Sequence, residues 1–465
     1  MIRRSQNALF VFRRDLRLAD NTALIAALER SEYVLPCFIF DPRQVEAHPY
    51  RSEAALQFML ESLEDLQNQL LQAGGRLFCF FGRADEIIGR LLEVGLAQTV
   101  FLNRDYTPFS RERDAQIAQA ARRHGAEFFE FDDVLLNAPG SVLKADGSPY
   151  CVFTPFFKAA GRLQVPLPRI AARGNFYTGE VEFEYREEFS RILESRNDRS
   201  FAHGGRREAL RILDGLQDLK DYRLCRDYPA LRGTSGLSPH LKFGTCSVRE
   251  AFQAVVSKLG PAHEIVRQLY WRDFFSHIAW HFPHVFGQAY NRRFSALEWQ
   301  ENNENFDRWC RGETGFPIVD AGMRELNTTG FMHNRVRMIA GSFLVKDLHI
   351  DWRRGEKYFA SRLVDYDPAV NNGNWQWVAS TGCDAQPWFR IFNPWLQQKK
   401  FDPQCLYIKR WLPEVAALTP GMIHNLHQDT APAGTVYPVP CVDHLEEKSV
   451  SEDLFEKAHS DSGRS

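Results

Sequence analysis

Over the first 131 positions, short apolar runs of β type alternate with longer stretches that have helical spacing. The runs are Ala8–Phe12, Tyr33–Phe40, Arg76–Phe81, Thr99–Leu102 and Glu127–Phe131. Between them the pattern predicts helices starting at Thr22, at Ser52 and running to Ala73, at Asp85 and at Ser110. Strands alternating with helices in this way predict a parallel, doubly wound sheet with right-handed crossovers. From Asp132 to about His203 the periodicity loosens into Pro, Gly and charged residues, among them Pro139, Gly140, Pro149, Pro155, Pro166 and Pro168, which reads as an interdomain connector. After Gly205 the pattern is helical almost throughout to about Leu418, and from about Val442 the chain is charged, poor in apolar residues and expected to be poorly ordered. The expected organisation is an α/β domain over 1–131, a connector over 132–205, a large all-α domain over 206–430 and a tail over 431–465.

Composition narrows the function classes. The 465 residues have room for two to three domains and large cores. A formal net charge of -2 means that any nucleic-acid contact must come from a local basic face. No apolar run approaches the roughly 20 residues that span a bilayer, so the chain reads as soluble and intracellular, with no membrane partner. Nine cysteines, an odd number without a C-x-x-C pair, signal neither a disulfide framework nor a metal site. The turn after the first run, Arg13-Arg14-Asp15-Leu16-Arg17-Leu18, is not G-x-G-x-x-G, and Gly74-Gly75 reads as a helix C-cap; neither is a phosphate loop.

The candidate chemistry lies in the helical half. Asp365-Tyr366-Asp367-Pro368-Ala369-Val370-Asn371-Asn372-Gly373-Asn374-Trp375-Gln376-Trp377 gathers carboxylates, amides and indoles that suit a flat, polar, redox-active ring; a capped turn leading into a core helix is the bland alternative. Gly233-Thr234-Ser235-Gly236-Leu237-Ser238-Pro239 places hydroxyls and backbone N–H groups before a helix, where a diphosphate or a simple N-cap would use them. Gln268, Trp271, Arg272 and Phe275 share one helical face, as do Asn334, Arg337 and Met338, and Arg337 is placed to pair with Asp365. Three further indoles, Trp299, Trp352 and Trp375, are core residues by default.

Taken in order, these segments resemble the photolyase/cryptochrome family, most closely its microbial class I members that act on cyclobutane pyrimidine dimers. The likeness also includes Phe10-Val11-Phe12-Arg13-Arg14-Asp15-Leu16-Arg17, Gly315-Phe316-Pro317-Ile318-Val319-Asp320-Ala321-Gly322-Met323-Arg324 and Phe389-Arg390-Ile391-Phe392-Asn393-Pro394, and so spans nearly the whole chain. It implies that the helical domain holds FAD, used in its reduced anionic form. By matching motif, Tyr222 and Thr234, Ser235, Gly236, Leu237 and Ser238 take the diphosphate side; Asn334, Arg337 and Met338 line the ring pocket; and Asp365, Tyr366 and Asp367 face the ring and ribose. Asn371 matches the residue facing flavin N5, where an amide does not readily supply a proton. Trp375, Trp352 and Trp299 match an electron-transfer chain from flavin to surface. Trp271, Trp377, Gln268 and Met338 match positions at a lesion flipped out of UV-damaged DNA, and Arg226, Arg272, Arg335 and Arg390 match positions that touch phosphates.

The resemblance therefore implies light-driven dimer repair by a monomeric, cytoplasmic enzyme that is nucleoid-associated when bound to DNA. The alternatives are a six-four photoproduct lyase and a non-repairing cryptochrome photoreceptor. Gln268 stands where class I dimer enzymes carry Glu and is shared with the six-four branch, whereas Met338 replaces the histidine of that branch. A second, antenna chromophore is expected in the α/β domain, with deazaflavin, folate and flavin all open; Asn103-Arg104-Asp105-Tyr106 resembles a deazaflavin-type edge.

Overall fold

The computed structural model describes residues 5–172, 174–186, 189–193, 195–428 and 436–461. Its internal contacts divide the chain into two units: Met1–Asn197 with Ala202–Lys220 and Ser235–Pro283, and Asp198–Phe201 with Asp221–Thr234 and His284–Ser465.

In the first unit, β1 (Ser5–Phe12), β2 (Ser31–Phe40), β3 (Phe78–Phe81), β4 (Thr99–Asn103) and β5 (Glu127–Phe131) form one parallel sheet in the order β3-β2-β1-β4-β5. The expected doubly wound sheet is thus present, and its central strand shows why the apolar run there is unbroken. Leu9, Phe10 and Val11 are all buried, because helices cover both faces of a parallel sheet. Helices Thr22–Arg30, Glu53–Gln72 and Pro108–Arg123 start at Asn21, Ser52 and Thr107, each of whose side chains accepts a first-turn N–H. Gly74 and Gly75 do cap the second of these, their N–H groups bonding to Leu71 and Leu70 carbonyls.

The chain order reverses between β1 and β4, the place where open α/β sheets leave a crevice at their strand ends. Polar side chains pack there: the Asn103 amide donates to Asp15 (2.5 Å) and Asn21 (2.7 Å), and Arg17 and Arg249 both pair with buried Asp133 (2.6 and 2.7 Å). Arg249 belongs to helix Val248–Leu259, whose start is a capping box made by Ser247 and Glu250. The Arg249–Asp133 pair ties that helix to the end of β5, and Arg17 joins the same carboxylate from the turn after β1.

The second unit is helical. Helices Pro317–Thr329, Asn334–Lys346, Trp352–Ala360 and Pro368–Val378 surround a core that includes Trp309, Phe316, Met323, Phe343, Leu344 and Trp375. The expected poorly ordered tail is corrected here. Residues His444–Asp461 form a helix whose Phe455 is fully buried in this core. Its low apolar content misled the composition reading, because a few side chains do the docking: Phe455, with Leu454 and Ala458 beside it, and two histidine–carboxylate contacts, His444 Nδ1 2.5 Å from Asp347 and His349 Nε2 2.6 Å from Glu447. Residues 431–435 and 462–465 of that tail lie outside the described residues. All nine cysteines are free. Among the described residues no helix is long and apolar enough to cross a membrane, and no cluster of three potential metal ligands occurs.

Candidate functional site

In the second unit the polar run at Asp365 is both a capped helix start and a ligand-type cluster. Asp367 caps helix Pro368–Val378, its carboxylate accepting from Ala369 N (3.1 Å) and Val370 N (3.3 Å), with Pro368 in the first turn. Arg337 Nη2 reaches both oxygens of Asp365 at 3.1 and 3.0 Å while its Nε donates to the Met332 carbonyl (2.7 Å). The guanidinium is therefore fixed, and it lies over the Phe331 ring. One turn earlier, Asn334 is exposed, and the side-chain hydrogen bond it makes among the described residues is to the soft sulfur of Met338 (3.7 Å).

Asn371 is held by the helix Trp352–Ala360. Its Nδ2 donates to the carbonyl and the carboxylate of Glu356, at 3.2 and 2.9 Å. Burial pushes the Glu356 carboxyl up to about 7, against the lowering effect of that Asn371 hydrogen bond. Sequence reasoning missed Glu356, since nothing in its helix, Trp352–Ala360, marks it as different from a solvated acid.

The loop before Thr234 is pressed against the short helix Tyr222–Cys225. A Cβ at Gly233 would lie 2.7 Å from the Cys225 carbonyl oxygen, so only glycine allows this approach. Buried Tyr222 has Arg226 over its ring at 5.4 Å. Acids, amides, a fixed guanidinium and a glycine-closed loop are the donor set that a dinucleotide carrying a polar ring system requires, and these residues fit FAD.

The three indoles of the expected electron path sit in or on one core. Trp352 and Trp375 are buried and Trp299 is half-buried at its edge against Phe455 (6.3 Å). Trp375's ring neighbours are Phe359 (4.9 Å) and Trp309 (6.2 Å). Trp309, fully buried with its Nε1 donating to the Ala340 carbonyl, was not singled out from sequence; the aromatic pair Phe306 and Trp309 at helical spacing was its only signal. A Cβ on Gly355 would lie 2.2 Å from the Trp375 ring, so the glycine lets helix Trp352–Ala360 close on it. Trp377 is half-buried, and Arg390 is exposed. Arg335 pairs with Asp227 (2.9 Å) over the Phe401 ring.

In the first unit, Ser235, Gly236, Leu237 and Ser238 lead into helix Ser238–Phe243, with the Ser235 hydroxyl accepting from Leu237 N (3.4 Å). Helix Glu264–His281 carries Gln268, Trp271, Arg272 and Phe275. Gln268 is half-buried, and its side chain makes no hydrogen bond among the described residues. Arg272 donates to the carbonyls of Val134 (2.7 Å) and Leu241 (3.1 Å). Beside it, buried Asp273 accepts from Leu136 N and Asn137 N, and its burial pushes the carboxyl up to about 7.

Comparison with known proteins places these features. Residues 8–171 match the model of the DNA photolyase family, and residues 265–457 match the FAD binding domain of DNA photolyase. The chain is 39% identical to the deoxyribodipyrimidine photo-lyase of Vibrio cholerae, covering 96% of this chain and 98% of that one. The chain belongs to the photolyase/cryptochrome family. Among solved structures it is similar to an archaeal photolyase from Sulfolobus tokodaii with two FAD molecules (TM-score 0.89, 42% identity, 97% of this chain and 100% of that chain). It also resembles a bacterial class III photolyase from Agrobacterium tumefaciens, with a TM-score of 0.89 at 37% identity and 98% of each chain covered. As a member of this family it carries an FAD-binding domain, which contains Gln268, Asn334, Arg337, Asp365, Asp367, Asn371 and the three indoles.

Proposed function

We propose that this chain repairs UV-damaged DNA in blue light by splitting cyclobutane pyrimidine dimers. The observation that carries this reading is its near-full-length identity with proteins named deoxyribodipyrimidine photo-lyase. Bound FAD supplies the light absorption and the transferable electron. The chain's own residues bind, orient and insulate. Arg337, held by Asp365 and the Met332 carbonyl, presents a fixed positive charge to an electron-rich ring, while Asn334 and Met338 line the same helical face. Asp365, Tyr366 and Asp367 take the ring and ribose side; Tyr222 and Thr234 through Ser238 take the diphosphate. Asn371, locked by Glu356, offers an amide where an acid would donate a proton.

With FAD bound, Trp375, Trp352 and Trp299 would offer it a path for electrons supplied by an external reductant at the surface. In the first unit Trp271 offers a stacking face to the lesion and Gln268 donates its amide N–H to a pyrimidine carbonyl; in the second unit Trp377 offers a stacking face, and Arg226 and Arg390 meet phosphates. The partner is DNA containing a flipped lesion, bound by a cytoplasmic, nucleoid-associated monomer. A second chromophore, whether deazaflavin, folate or flavin, belongs to the α/β unit, and the absorption spectrum of the purified protein identifies it.

Met338 favours the dimer over the six-four photoproduct, because a thioether cannot transfer a proton. Illuminating the flavin-loaded protein with oligonucleotides carrying one lesion or the other, and counting restored thymines, tests the reading. Restoration from dimers in light and not in the dark is expected. Restoration from six-four lesions alone overturns it, and restoration from neither points to a photoreceptor.

A further inference from the structure

Trp271 does not stand alone on its helix. Its ring lies flat on that of Phe153, with centroids 3.6 Å apart and planes within 5°. Phe153 opens the helix Phe153–Ala160 and is itself buried. Two parallel rings at this separation form a near-sandwich, the arrangement that aromatic quadrupoles favour least. A cation relieves it. Arg267, one turn before Trp271, sits over the same Phe153 ring at 4.9 Å and drains electron density from it. Phe274 closes the assembly with edge contacts to both rings, at 5.7 Å each. Such a packed stack fixes both side-chain torsions of Trp271, which remains half-buried, with part of its surface open.

We propose that Phe153 is a positioning residue for lesion recognition. Resting on the reading of Trp271 as a lesion wall, it holds the indole in the orientation that discriminates a pyrimidine dimer from undamaged bases. A dimer is bent and rigid, so it meets a preset wall better than a swinging one, and ordering the wall in the free protein removes that cost from binding. Undamaged DNA is bound through its phosphates and does not reach this wall. Phe153 therefore acts on the specificity ratio, separately from overall affinity.

The test is a dark binding titration of the flavin-loaded full chain against a single-dimer oligonucleotide and its undamaged twin. Phe153→Leu is expected to cut the preference for the dimer by about 5- to 10-fold, with flavin content and affinity for the undamaged twin unchanged, since stacking accounts for a few kcal/mol at most per base. Phe153→Tyr, which keeps the ring, is expected to stay within about 2-fold of the parent. If Phe153→Leu does not yield flavin-loaded protein, Phe153→Met, flexible and of similar volume, replaces it. An unchanged preference in the ringless variant overturns the proposal, as does an equal loss for both DNAs. A parent protein that shows no preference for the dimer removes the lesion-wall reading instead, and this proposal falls with it.

Discussion

Glu356 is the titratable residue that holds the Asn371 amide. Its carboxyl is buried, receives Asn371 Nδ2, and is raised from 4.5 to about 7. The folded protein therefore binds this proton more tightly than the unfolded chain does. Its contribution to stability is complete below about pH 4.5 and is lost as pH rises through about 7. Glu356→Gln keeps an acceptor for the Asn371 amide and removes the ionisation. Urea unfolding of the flavin-loaded protein at pH 5 and pH 8 should show a smaller fall in stability for the variant, by about 1 kcal/mol or more. An identical fall in both proteins would mean that Glu356 does not ionise across this range. Asn371 was legible in the sequence because it sits in a dense polar run; Glu356 was not, since its meaning comes from a neighbouring helix 15 positions later in the chain.

At the scale of elements, legibility followed local pattern: the central strands are buried on both faces, while the edge strand β5 was legible from its phenylalanines although none of its residues is buried. The strands emerged from sequence because each is a short apolar run bounded by turns, and their observed ends differ from the expected ones by only a few residues, as at Phe78, where β3 starts after Arg76 and Leu77. Helix His444–Asp461 was missed because its attachment depends on a few specific pairs and little on an apolar stripe. Asp347 shows how much those pairs matter: it is fully buried, with its carboxyl raised to about 6 although the His444 bond opposes the rise. His444→Ala leaves that carboxyl buried without its partner. The expected cost is about 3 kcal/mol at pH 8 and clearly less at pH 5, where the acid is protonated and no buried charge is left uncompensated. Chemical denaturation at the two pH values reads both numbers, and limited proteolysis should release the C-terminal helix first. A cost that is equal at both pH values would assign the loss to packing alone.

For the molecule as a whole, near-neutral charge and DNA binding are compatible only if a few cations act locally. The net charge of -2 cannot attract a polyanion, so the dependence of affinity on salt reports how many phosphates individual side chains neutralise. The structure separates Arg272 and Arg335 from Arg390 by how their donors are engaged. Arg272 is bonded to two backbone carbonyls, and Arg335 pairs with Asp227 at 2.9 Å. Arg390 is exposed, and Arg226 is half-buried, 3.9 Å from Asp227. Replacing the exposed Arg390 with Gln should reduce the slope of log K against log salt by about 1, with lesion preference retained. Arg272→Gln should leave two carbonyls without a donor and appear mainly as lost stability, about 1–3 kcal/mol, with little change of slope. Titrations of one undamaged duplex at several salt concentrations, beside unfolding curves of the same proteins, distinguish the two kinds of arginine. A slope that falls for Arg272→Gln and holds for Arg390→Gln would reverse the assignment and place the phosphate path along helix Glu264–His281.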